Sequence, residues 1–142
     1  VGFTLVGKAD RVDVLHDGAT HIYDYKTGKP PSKDQQLHFD KQLLLEVEML
    51  RQGGFERLGA RQVVGANYIG LGNDPEDTAA PMDETDVWAE LSDLIRAYQD
   101  PEQGYSARRA MLMADASSVY DHLARYGEWG TNQSALLIKV SK

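Results

Sequence analysis

Gly7-Lys8-Ala9-Asp10-Arg11 and Ile22-Tyr23-Asp24-Tyr25-Lys26-Thr27-Gly28, with the turn-forming pair Asp17-Gly18 between them, are the stretches whose pairing decides the fold. Side chains alternate between the two faces of a strand, so Asp24 and Lys26 share a face, about 7 Å apart along the chain. Where Asp10 points depends on the turn. A two-residue loop at Asp17-Gly18 pairs His16 with Ala19 and sets Asp10 opposite Tyr25, on the wrong face. A three-residue loop of His16, Asp17 and Gly18, with a left-handed glycine, pairs Leu15 with Ala19 and sets Asp10 opposite Asp24. We expect this bulged turn, or a bulge elsewhere in the hairpin that restores the same parity. Cβ atoms of opposed residues lie about 5 Å apart, close enough for two carboxylates to reach one cation and to repel strongly without it.

Magnesium suits such a pair, because it takes oxygen ligands, keeps several waters and needs only one or two protein carboxylates. A bound ion of this kind polarises a phosphoryl oxygen and lowers the pKa of a water. An ammonium beside it, that of Lys26, can orient the water or stabilise charge growing on phosphate oxygens. Phosphodiester hydrolysis is the reaction that uses these parts. Taken alone, Asp-x-Lys on a strand is more often a solvated face carrying a weak surface ion pair. Val6, Val12, Val14 and Ile22 share the carboxylates' parity, however, and charges set into an apolar sheet face have to be paired or metal-bound.

The next segment reads as one helix from about Ser32 to Gln52. Pro30-Pro31 precedes Ser32 as N-cap, Gln35 stands where a capping box needs it, and Gly53-Gly54 stops the run. Phe39, Leu43, Val47 and Leu50 form its apolar stripe. Gln42 and Glu46 lie one turn apart on another side, and periodicity leaves Gln42 open to the metal site or to the solvent edge. Residues 62–70 read as a third strand, giving a strand-helix-strand crossover. Residues 83–99 read as a helix burying Val87, Trp88, Leu91, Leu94, Ile95 and Tyr98, residues 116–126 as a shorter helix, and residues 135–140 as either a short tail strand or a frayed terminus. Residues 72–84, rich in Asp, Pro and Ala, read as an exposed loop. The expected class is α/β, a mixed central sheet of hairpin plus crossover strand flanked by helices.

Asp10 within Gly7-Lys8-Ala9-Asp10-Arg11, then Asp24-Tyr25-Lys26-Thr27-Gly28, then Gln42-Leu43 on the following helix resemble the PD-(D/E)XK nuclease superfamily, and within it the RecB-like nuclease domain of AddB-type helicase-nuclease subunits. The resemblance implies a restriction-endonuclease-like core, with Asp10, Asp24 and the backbone carbonyl of Tyr25 as metal ligands. It makes Lys26 the catalytic lysine and Gln42 the glutamine of the family's helical motif. The family commonly places a tyrosine a few residues later, where this chain has Leu45 and Glu46. Residues 104–109 and 120–129 are similar to closing segments of AddB-type proteins, and Arg108 and Arg109 either meet DNA phosphates or lie in a solvated loop. Trp88 and Trp129 are read as core or interface residues. The implied cofactor is Mg2+, with Mn2+ able to substitute. The implied partners are DNA, an AddA-like subunit and the remainder of the protein's own chain. The family also has a ligand on a helix before the first strand, so the chain, starting at Val1, is expected to be one nuclease domain cut from a longer protein.

With no cysteine, neither an iron-sulfur cluster nor a disulfide can form within this chain. At 142 residues and 42% hydrophobic content, one domain can build a core. The sequence holds no signal-like or membrane-length apolar run, and a cytoplasmic setting is expected. Fifteen basic against 22 acidic residues leave a net charge of −7, without the basic footprint of a free-standing DNA binder. A module fed its strand by other domains needs only local contacts. No Gly-rich phosphate loop opens a helix, so the ATP-driven motor belongs elsewhere. His16, His21, His38 and His122 show no helical zinc spacing and are read as surface or capping residues. Three readings stand: a metal-dependent deoxyribonuclease of double-strand-break repair, a nuclease-like structural or DNA-binding module that does not cut, and a stand-alone restriction-like or phage-type exonuclease of the same superfamily, against which the C-terminal resemblance counts.

Overall fold

β1 (Arg11–Val14) and β2 (Thr20–Lys26) form an antiparallel hairpin in the computed structural model, which describes residues 2–104, 121–123 and 128. The register pairs Arg11 with Tyr23, Val12 with Ile22 and Val14 with Thr20. The Leu15 N–H donates to the Ala19 carbonyl at 2.8 Å, and the Gly18 N–H to the Leu15 carbonyl at 2.9 Å. Gly18 has φ 86°, a left-handed conformation that glycine adopts without steric penalty, and the Asp17 carboxylate accepts the Ala19 N–H at 3.0 Å. This is the three-residue turn, and by continuation of its register Asp10 falls opposite Asp24.

β3 (Val63–Gly70) runs parallel to β2, with Asp24 beside Tyr68 and Lys26 beside Gly70. β4 (Glu76–Ala79) lies antiparallel on its outer edge, giving a mixed sheet of order β1-β2-β3-β4. With the helix Gln42–Arg51 returning across it, the sheet has the restriction-endonuclease-like α/β architecture. β4 lies within the stretch expected to be loop. Its side chains are mostly exposed, so it has no apolar alternation; the open edge of β3 holds it through backbone bonds.

The crossover holds two helices rather than one, α1 (Lys33–His38) and α2 (Gln42–Arg51). Ser32 and Gln35 form the expected capping box. The break follows because the Leu43 N–H, which a continuous helix would give to the Phe39 carbonyl, donates instead to the Tyr68 hydroxyl at 3.2 Å. That hydroxyl donates in turn to Asp40 at 3.3 Å, and Phe39 is exposed rather than part of the buried stripe. α2 ends as expected at Gly53-Gly54: the Gly54 N–H reaches the Met49 carbonyl at 2.7 Å, the Gly53 N–H reaches the Leu50 carbonyl at 3.3 Å, and Gly53 has φ 80°.

α2 lays Leu43, Val47 and Leu50 on the face of the sheet formed by Ile22, Val63, Ala66 and Tyr68. Each such side chain contributes roughly 1.5–3 kcal/mol by burial. Val12 packs at the margin of this core, whereas Val6 and Val14, expected on the same face, are exposed. α3 (Val87–Gln99) starts later than expected because Asp86 caps it, its carboxylate accepting the Ala89 N–H at 2.9 Å. Of α3 only Val87 is buried, and Leu94 and Tyr98 are exposed. The chain divides into two compact units, Val1–Arg96 and Ala97–Lys142, and the sheet lies in the first. The expected elements at 116–126 and 135–140, and Arg108, Arg109 and Trp129, lie outside the described residues.

Candidate active site

β2 alternates strictly, burying Thr20, Ile22 and Asp24 on the face under α2. Asp24 is therefore a carboxylate at a core position, 3% exposed. Its Oδ1 accepts from Gln42 Nε2 at 2.8 Å, and its Oδ2 lies 3.0 Å from Lys26 Nζ. Lys26 Nζ also donates to Gln42 Oε1 at 3.2 Å. Asp24, Gln42 and Lys26 thus close a ring, with the glutamine carbonyl toward the lysine and its amide group toward the acid. Lys26 Nζ stands 5.2 Å from the centre of the Tyr68 ring, which gives the ammonium an aromatic face as well.

Gln42 can close that ring because it is the first residue of α2, and Tyr68 holds the start of that helix through Leu43. Burial pushes the Tyr68 hydroxyl well above the usual phenol range, against the Leu43 N–H that lowers it, while the charges of Asp40 and Asp24 raise it further. The hydroxyl stays neutral and keeps its donor proton.

Gln42 Nε2 carries a second bond, to Glu46 Oε1 at 3.2 Å. Glu46 is 5% exposed. Burial pushes its carboxyl above the usual carboxylate range, and the charges of Asp24 and Asp10 push the same way, against the Gln42 hydrogen bond and Lys26. Sequence reading placed Glu46 one turn from Gln42 but gave it no role. The missed signal was an acid at i+4 from a polar residue, on a helix otherwise turning apolar side chains inward.

Asp10 is exposed, and its Oδ2 accepts the Tyr25 N–H at 3.0 Å. Leu15 and Ala19 form a hydrogen-bonded pair, so the alternation of an antiparallel ladder makes Ala9 the partner due to Tyr25. β1 begins only at Arg11, and the Asp10 side chain takes that amide in place of the backbone. The opposite face of β2 carries Tyr25, whose hydroxyl accepts from Arg11 at 3.3 Å, and His21, stacked on Tyr23. His21 is half-buried over Gly65 with Nε2 2.8 Å from Asn67 Oδ1, so it is not the surface or capping residue expected.

Among the described residues, no three His, Cys, Asp or Glu side chains form a ready-made cation cage. The donors nevertheless fit a divalent ion. Asp24 Oδ2 and Glu46 Oε2 are buried and accept no hydrogen bond. The Lys26 contact with Asp24 is close enough for an ion pair but lacks hydrogen-bond alignment, so charge attraction is what that oxygen receives. Buried oxygens left in this state favour a hard cation that brings its own waters.

The PD-(D/E)XK nuclease superfamily matches residues 1–130, and the chain belongs to that superfamily. A similar protein is an uncharacterized protein of Rickettsia felis (strain ATCC VR-1525 / URRWXCal2), 36% identical over 69 residues, which are 48% of this chain and 8% of that protein. The chain thus matches only a small part of that protein's length. No solved structure matches the chain.

Proposed function

We propose that the chain is a Mg2+- or Mn2+-dependent deoxyribonuclease module that hydrolyses phosphodiester bonds during double-strand-break repair, within a cytoplasmic helicase-nuclease of the AddAB type. Superfamily membership carries the nuclease part of this reading, and the closed ring of Asp24, Lys26 and Gln42 is the observation that ties it to chemistry. Asp24, Asp10 and the Tyr25 carbonyl would hold the ion. When bound, it supplies Lewis-acid polarisation of a phosphoryl oxygen and a water of lowered pKa. Lys26 places a positive charge where phosphate oxygens gain negative charge, from a partly dry position in which that charge is weakly screened. Gln42 Oε1 accepts one hydrogen of Lys26 and so orients the ammonium beside Asp24. Arg108 and Arg109 are proposed phosphate contacts, and an AddA-like subunit together with the rest of the protein's own chain is proposed to deliver the strand. The net charge of −7 is consistent with delivery by other parts.

One observation favours a second reading, a nuclease-like module that binds without cutting: Lys26 Nζ already sits against Asp24, where it offsets part of the charge an ion would neutralise. Nuclease assays of the full-length protein on single- and double-stranded DNA, with Mg2+ or Mn2+, separate the two. We expect cutting by the wild type and a loss of about 100-fold or more in Asp24→Ala and Lys26→Ala, in line with removal of one preorganised electrostatic group. Circular dichroism should show both variants folded. Equal cutting by all three proteins refutes the assignment, and no cutting by any favours the binding module.

A further inference from the structure

We infer that Glu46 is a further ligand of the divalent ion, presenting Oε2 beside Asp24 Oδ2. The inference rests on the functional reading above and extends it to a residue that reading leaves without a role.

Six residues of α2 are buried, and Glu46 is the only charged one among Leu43, Leu44, Val47, Met49 and Leu50. A carboxylate at 5% exposure costs several kcal/mol unless its oxygens are satisfied. Here the satisfaction is half complete. A single amide group, Gln42 Nε2, uses one hydrogen on Asp24 Oδ1 and the other on Glu46 Oε1. It therefore joins two acids by their inner oxygens and leaves both outer oxygens, Asp24 Oδ2 and Glu46 Oε2, buried without a hydrogen bond. Gln42 has no third hydrogen to offer, since its Oε1 accepts from Lys26.

Charge points the same way. Asp24 and Glu46 share Gln42 between them, with Asp10 at the same end of the sheet, so acidic groups outnumber Lys26, which lies against Asp24. A water placed there supplies hydrogens but no charge. A divalent ion supplies the missing charge and takes two carboxylate oxygens while keeping waters in its other positions. All donors are oxygens and the chain has no cysteine, which selects Mg2+ or Mn2+ over softer metals.

The test is Mn2+ titration of the full-length protein by calorimetry, comparing wild type, Glu46→Gln and Asp24→Asn, with cutting measured in parallel. Glu46→Gln keeps an oxygen for Gln42 and removes only the charge and the free carboxylate oxygen. It should weaken Mn2+ binding about 100-fold or more, beyond what loss of an outer-shell partner usually costs. As a direct mark of ligation, Glu46→Cys should acquire a thiolate-to-metal ultraviolet band with Cd2+ that wild type lacks, because a soft ligand recruits a soft ion. Unchanged Mn2+ affinity in Glu46→Gln overturns the inference, and so does a folded Glu46→Cys with no Cd2+ band. If Glu46→Cys does not fold, the Glu46→Gln titration decides. If Asp24→Asn loses Mn2+ and cutting while Glu46→Gln keeps both, the inference fails and the functional reading survives. If Asp24→Asn also keeps both, the two fail together.

Discussion

Gln42 shows how one neutral side chain can organise several charged ones. Its amide has a donor end and an acceptor end; the ring formed with Asp24 and Lys26 uses both, which also fixes its orientation. Replacing it leaves Asp24 Oδ1 and Glu46 Oε1 buried without a donor and frees Lys26 to swing. We expect Gln42→Ala to lower cutting about 10- to 100-fold, the range for loss of a group that orients ligands, with the fold retained. Steady-state rates beside a thermal melt check both halves of that expectation. Asp10 behaves differently. Exposed and bound to one backbone N–H, it can turn toward an ion at little cost, whereas Asp24 is fixed in place.

Among the elements, the junction between α1 and α2 depends on Tyr68. Its hydroxyl accepts the Leu43 N–H and donates to Asp40, so one strand residue sets where the helix carrying Gln42 begins. Tyr68→Phe leaves that N–H buried without an acceptor and should cost about 1–3 kcal/mol in urea unfolding. On the other face of the sheet, β2 and β3 approach through Gly65. A Cβ there would clash with the His21 ring, so the ring would have to leave its stack on Tyr23 and its bond to Asn67. Gly65→Ala should cost about 1–3 kcal/mol, as overpacking does. Added to His21→Ala it should cost much less, a non-additivity that a double-mutant cycle on denaturant midpoints measures.

For the whole molecule, the proposed ion at the acid-rich end of the sheet would couple metal binding to stability. An ion that binds only the folded state stabilises it by about 2.7 kcal/mol at a concentration 100 times its Kd. Mn2+ should therefore raise the melting temperature of wild type, and Asp24→Asn should remove that dependence. The rise should be seen in differential scanning fluorimetry with and without chelator. No helix among the described residues is long and apolar enough to cross a membrane.

The turn at Gly18, the parity that sets Asp10 against Asp24, the capping box of Ser32 and Gln35, and the stop at Gly53-Gly54 were all legible in the sequence. Each depends on residues close along the chain, where strand alternation, glycine's left-handed conformation and side-chain caps act locally. Local pattern could not show the helix break at residues 39–41, the strand at Glu76–Ala79 or the exposed apolar residues of α3. The first needs Tyr68, far along the chain, and the second needs the free edge of β3. Glu46 belongs with these. Its place on α2 could be read directly, but its burial beside Asp24 with an oxygen left over arises only when helix and sheet meet, because desolvation is a property of the packed structure and not of the residue.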